Sequence, residues 1–158
     1  KRAGKQMDFC RCCRCDFCRC HLAGSALMRE IHYRDFNHKN YRFILTAPLV
    51  LQTRIKYRAT RNDWITLQSD GTLIIAKGYA WDGASGIAIN TQNTIAASCG
   101  HDALYQLMRL ELLQKTQRLK ADQDLRDWLI EDGVFSLRAN AWFVAVRLFG
   151  EFYLRIKN

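Results

Sequence analysis

A chain of 158 residues, 49% apolar and 25% charged, can bury one substantial core and is too apolar to be disordered throughout. Its net charge of +9 is uneven: residues 1–27 carry six Lys/Arg against two Asp, so the other 131 residues hold +5. That mild balance ranks nucleic acid behind protein or phospholipid as the anionic partner, and no run of eighteen apolar residues predicts a transmembrane segment.

The first element is a head, "CRCCRCDFCRCH", holding six of the seven cysteines at positions 10, 12, 13, 15, 18 and 20. Cys12 with Cys15, and Cys15 with Cys18, have C-x-x-C spacing that can place thiolates on zinc. A structural zinc site takes its second pair from a distant segment, whereas all six cysteines here crowd together. Without helix or strand periodicity, residues 1–27 read as a poorly ordered Cys/Arg-rich appendage, with metal binding, redox behaviour or disulfides as alternatives. A single domain is then expected over 28–158, opening at Met28.

From Tyr41 the pattern becomes that of strands. In "LVLQTRIKY", Leu49, Leu51, Thr53, Ile55 and Tyr57 share one face, and Gln52, Arg54 and Lys56 the other. Pro48, without an amide donor, belongs at an edge or a strand's beginning. "WITLQS" and "TLIIAK" flank Asp70-Gly71, a hairpin turn, and Gly78 closes the run.

After "GYAWDGASGIAINTQN" the period turns helical. Thr91 or Asn93 caps a helix over 94–109, a second runs over 118–131 to Asp132-Gly133, and a third covers the C-terminus. The third places Trp142, Val146, Phe149 and Tyr153 on one side. Strands followed by helices predict an α+β domain, a small antiparallel sheet with about three helices packed on one face.

Within the first helix, "CGHDALYQL" sets His101 beside Asp102, and both are costly to bury without partners. His101 and Tyr105 share a face at i and i+4, and Gly100 opens room for another backbone beside them. On the second helix Asp122 lies on the apolar stripe with Leu125 and Leu129, while Asp124 and Asp127 fall on more polar faces. Antiparallel helices would bring Asp122 to His101 and Tyr105, where its carboxylate could fix the imidazole tautomer. That arrangement serves equally as a base oriented by an acid or as a buried tie between helices. The loop "WDGASGIAI" could turn carbonyls inward, so Asp102, Asp82, Gly83 and Ser85 form a candidate calcium site, beside the plainer reading of a strand-to-helix connection.

"GYAWDGAS", "HDALY", "KADQDL" and "AVRLFG" together resemble a phage- and prophage-associated family, the domain of unknown function numbered thirteen fifty-three. The resemblance covers about residues 40 to 150 and rests on Asp82, Ala84, Ser85, His101, Asp102, Leu104, Tyr105, Ala121 and Asp122; Gly86 stands where the family has proline. It implies a phage or prophage origin. The His-Asp helix is also similar in part to that of secreted-type phospholipases A2. That similarity implies His101 activating water, Asp122 and Tyr105 orienting it, and Asp102 with carbonyls around residues 83–86 holding calcium. The cysteines that brace that family's helices are absent. A metal phosphohydrolase of the His-Asp type would need an earlier helical histidine, and His21, His32 and His38 lie in non-helical surroundings.

The sequence thus leads to a virion or virion-assembly component without established catalysis, working with other phage virion proteins in the virion or the cytoplasm of an infected bacterium. The alternative is a calcium-dependent hydrolase of the phospholipase A2 type acting on host membrane phospholipid. Calcium is the one cofactor candidate.

Overall fold

The computed structural model describes residues 29–38, 41–83 and 91–155. The head at 1–27 and Ser85 of the candidate calcium site lie outside the described residues. In chain order come β1 (Tyr33–His38), β2 (Tyr41–Leu45), β3 (Leu49–Gln52), β4 (Thr60–Arg61), β5 (Ile65–Leu67), β6 (Thr72–Ile75) and β7 (Ala80–Trp81). The helices α1 (Gln92–Arg109), α2 (Arg118–Glu131) and α3 (Ser136–Arg155) follow, with one 3-10 turn at Lys115–Gln117 before α2. The fold is α+β, and its strands form two antiparallel sheets, β1-β2-β7 and β3-β6-β5-β4.

The second sheet owes its inner face to a register that aligns apolar residues across strands. Leu49 and Ile65 both pair with Ile75, and Leu51 and Leu67 both pair with Leu73, so two buried rows cross the sheet. Gly71 takes the tight turn of the β5–β6 hairpin at φ +89°, and Asp70 Oδ1 accepts from the Thr72 amide at 2.9 Å. β1 escaped the sequence pattern because it is a largely exposed edge strand without an apolar alternation. β7 is only two residues long, held to β2 by Phe43 opposite Trp81.

The alternation from Leu49 to Ile55 holds for burial, yet the strand stops at Gln52. Thr53 Oγ1 accepts from the Ile55 amide at 2.7 Å, and the Arg54 amide turns away to the Asp124 carboxylate at 3.2 Å. Trp128 Nε1 donates to the Gln52 carbonyl at 3.1 Å, so the end of β3, whose Thr53 amide still donates to the Gly71 carbonyl at 2.9 Å, is also bonded to α2. Asp124, expected on a polar face, is buried and ion-paired with Arg54 at 2.7 Å; the same guanidinium also reaches Asp127.

α1 begins at Thr91, whose amide donates to Thr94 Oγ1 at 3.1 Å, and it lies between the second sheet and α2. A Cβ on Gly100 would sit 2.3 Å from Leu51 Cδ1 and 2.8 Å from the Trp128 ring. The glycine therefore admits two side chains from opposite sides, where another backbone had been expected. α3 packs mainly on α2 and less on α1, and the order of strands followed by helices expected of an α+β domain holds. Ala139, Gly150 and Leu154 face inward with Trp142 and Val146 half-buried, while Phe149 and Tyr153 extend past the core and stay exposed. No helix among the described residues is long and apolar enough to cross a membrane.

Candidate functional site

Four side chains converge on Asp122, which is completely buried in the middle of the three helices. His101 and Tyr105, one turn apart on α1, both reach Asp122 Oδ1, His101 Nε2 at 2.8 Å and the Tyr105 hydroxyl at 2.8 Å. Arg147 of α3 donates to the other oxygen, Oδ2, at 2.8 Å. Arg118, one turn before Asp122 on α2, stands 3.7 Å from Oδ2 and donates through Nε to the Tyr105 hydroxyl at 3.1 Å. Its Nη2 also donates to the carbonyls of Val146 and Arg147 at 2.8 and 2.7 Å. The antiparallel pairing of α1 and α2 thus brings His101, Tyr105 and Asp122 together.

The electrostatics follow from this crowd of donors. Burial by itself would raise the Asp122 carboxyl, but the bonds from His101, Arg147 and Tyr105 outweigh it and hold the group below the usual carboxylate range. Asp122 is therefore an ionised acceptor. Burial, with the Asp122 charge alongside, raises the Tyr105 phenol, which stays a donor. Since a carboxylate only accepts, His101 Nε2 is the donor in this bond. The His101 side chain keeps 9% of its surface exposed, against none for Asp122.

The second group is built by β7 and the next face of α1. Trp81 Nε1 donates to Ser98 Oγ at 3.3 Å, which ties β7 to the helix one turn before Asp102. Asp82 comes next to Asp102, near enough for its charge to act on it. Asp102 is half-buried as a residue, but its Oδ2 is fully enclosed and has no hydrogen-bond partner. Burial, followed by the Asp82 charge, pushes the Asp102 carboxyl well above the ordinary aspartate range. Gly83, at φ +77°, bends the backbone directly beyond this pair.

Two carboxylates and a bent backbone are hard oxygen donors, the kind calcium takes, and the enclosed Asp102 oxygen is an acceptor with no donor. Among the described residues no group of three or more His, Cys, Asp and Glu side chains converges, so such a site would draw further oxygens from backbone carbonyls. Cys99, next to this face, is a buried free thiol whose pKa burial and then the Asp102 charge push well up, so it is no thiolate nucleophile.

Arg118, Arg147 and Gly150 were not singled out from the sequence. Arg118 carried a signal in its i−4 spacing from Asp122. Arg147 lies within an apolar run, which gives no sign of its partner. Gly150 lets α3 close on the site: a Cβ there would lie 2.6 Å from the Tyr105 hydroxyl oxygen. No protein-family model, no curated protein and no solved structure matches this chain.

Proposed function

We propose that this protein is a hydrolase of carboxylic esters, of the calcium-dependent phospholipase A2 type, with His101 as its base. The observation that carries the reading is the 2.8 Å bond from His101 Nε2 to a buried, ionised Asp122, made by a histidine whose neighbour Asp102 holds an unpartnered oxygen.

In this reading Asp122 holds the imidazole with Nδ1 as its lone-pair nitrogen, and Tyr105 fixes the carboxylate's orientation through the same oxygen. His101 Nδ1 takes a proton from a water whose oxygen attacks the ester carbonyl carbon. The C–O bond to the alcohol then breaks, and the imidazolium returns the proton to the departing alkoxide. Asp102, Asp82 and the Gly83 carbonyl would hold calcium, whose chemistry there would be to polarise the ester carbonyl. The substrate would be phospholipid of a bacterial host envelope, in keeping with the resemblance to the phage-associated family.

A second reading is that of a virion or virion-assembly component, and the breadth of the same cluster favours it. Asp122, His101, Tyr105, Arg118 and Arg147 interlock all three helices, as a rigid building block requires. Release of fatty acid from phosphatidylglycerol vesicles, with calcium or with chelator, separates the two. Turnover that calcium stimulates is expected; its absence at any calcium concentration leaves the assembly reading.

A further inference from the structure

Among the described residues, α3 carries more exposed large apolar side chains than any other element, and neither the core nor the Asp122 cluster uses them. Leu137, Val144, Leu148, Phe149 and Phe152 are 53–72% exposed. At 3.6 residues per turn they fall, with Ala141 and Ala145, in one arc about 140° wide, opposite the face that Ala139, Gly150 and Leu154 turn inward. Between Leu137 and Phe152 the only charged residue in that arc is Arg138.

We propose that this face is the interface of a two-fold symmetric, antiparallel dimer of the chain. Its area is most of what a dimer needs: at roughly 150–250 Å² for an aromatic side chain and somewhat less for an aliphatic one, two phenylalanines and three aliphatic residues exposed by 53–72% present on the order of 550 Å². A standard interface takes about 800 Å² per partner. The size pattern is self-complementary as well. With the axis between Val144 and Ala145, Leu148 meets Ala141 and Phe152 meets Leu137 of the second copy, large against small at the centre. Arg138, which already lies over the Trp142 ring at 5.8 Å, comes level with Phe149 and Phe152 of the second copy on the same flank, where a cation over an aromatic face is favourable. A bilayer is the poorer occupant, because one flank of the stripe carries Asn140 and Glu151 in place of the Lys and Arg that anionic lipid attracts. The dimer does not depend on the hydrolase reading.

Sedimentation of the full chain at tens of micromolar tests it. Twice the 18.4 kDa of one chain is expected, and Leu148→Glu with Phe152→Glu should give a monomer with an unchanged circular-dichroism melt. Orientation is tested by oxidative cross-linking against the background of the native cysteines. Val144→Cys lies beside its own copy and should cross-link far more than Leu137→Cys, whose copies stand about 22 Å apart at 1.5 Å of rise per residue. A monomeric wild type, including one that binds phosphatidylglycerol vesicles through this face, overturns the proposal. So does a dimer that survives the double substitution, and equal cross-linking at both positions overturns the antiparallel arrangement.

Discussion

His101 and Arg147 meet on one carboxylate from opposite sides: the imidazole takes Asp122 Oδ1 and the guanidinium takes Oδ2, each at 2.8 Å. α1, α2 and α3 are thereby joined at a single buried charge. Removing it leaves two guanidiniums, an imidazole and a phenol without their shared acceptor.

Asp122→Ala should therefore destabilise the protein by about 3–5 kcal/mol, the usual cost of breaking a buried ionic pair by deleting one partner. Asp122→Asn keeps the shape and one acceptor oxygen, so a smaller loss is expected. Urea unfolding of the three proteins measures both. A loss under 1 kcal/mol for the alanine variant would show that the cluster contributes little to the fold.

Gly150→Ala sets two effects against each other. Alanine in a helix interior is favoured over glycine by about 1 kcal/mol. Here its Cβ would stand 2.6 Å from the Tyr105 hydroxyl, which is fixed by Asp122 and Arg118 and has little freedom to yield. Overpacking costs about 1–3 kcal/mol, so a net loss is expected. An increased urea midpoint would mean that α3 can shift away from Tyr105 freely.

The strands and the site were legible to different depths. Leu49 to Ile55 announced their buried face by alternation, and His101, Tyr105 and Asp122 announced theirs by helical spacing. What alternation could not convey is that β3 ends at Gln52, because Arg54 and the Gln52 carbonyl bond to Asp124 and Trp128, about 70 positions away. The assignment of Asp124 to a polar face failed for the same reason. A charge looks exposed on a helical wheel until its distant partner is known. Arg147 was hidden similarly, since a cation inside an apolar run gives no hint of which carboxylate it will meet.

Asp122 and Asp102 carry opposite pH signatures. Asp122 is held below the ordinary aspartate value of about 4, so its stabilisation is complete above that pH and is lost as pH falls through the lowered folded value. Asp102 is pushed well above that value, so the folded state binds the extra proton and stability declines as pH rises from about 4 towards the folded value. Asp102→Asn removes that decline and should make the calcium-free protein more stable than wild type at pH 7. Urea midpoints from pH 3 to 8 check this; an asparagine variant that is less stable at pH 7 contradicts the account of a strained Asp102.

Calcium should act through the same residue. A ligand that binds only the folded state stabilises it in proportion to the logarithm of its concentration above Kd. Millimolar calcium should raise the melting temperature of wild type and leave Asp102→Asn unmoved. Equal shifts in both proteins, or none in wild type, would remove Asp102 from the calcium site.

The proposed role of His101 as a base is tested most directly by His101→Gln. The glutamine amide can still donate to Asp122, so the fold should persist with nearly the wild-type melting temperature, but it has no lone-pair nitrogen to accept a proton. With phosphatidylglycerol vesicles and calcium, wild type should release fatty acid and His101→Gln should fall at least 100-fold, the usual contribution of a general base. Equal rates in the two proteins, or no calcium-stimulated release by wild type, would contradict the hydrolase account and leave the Asp122 cluster as a structural joint.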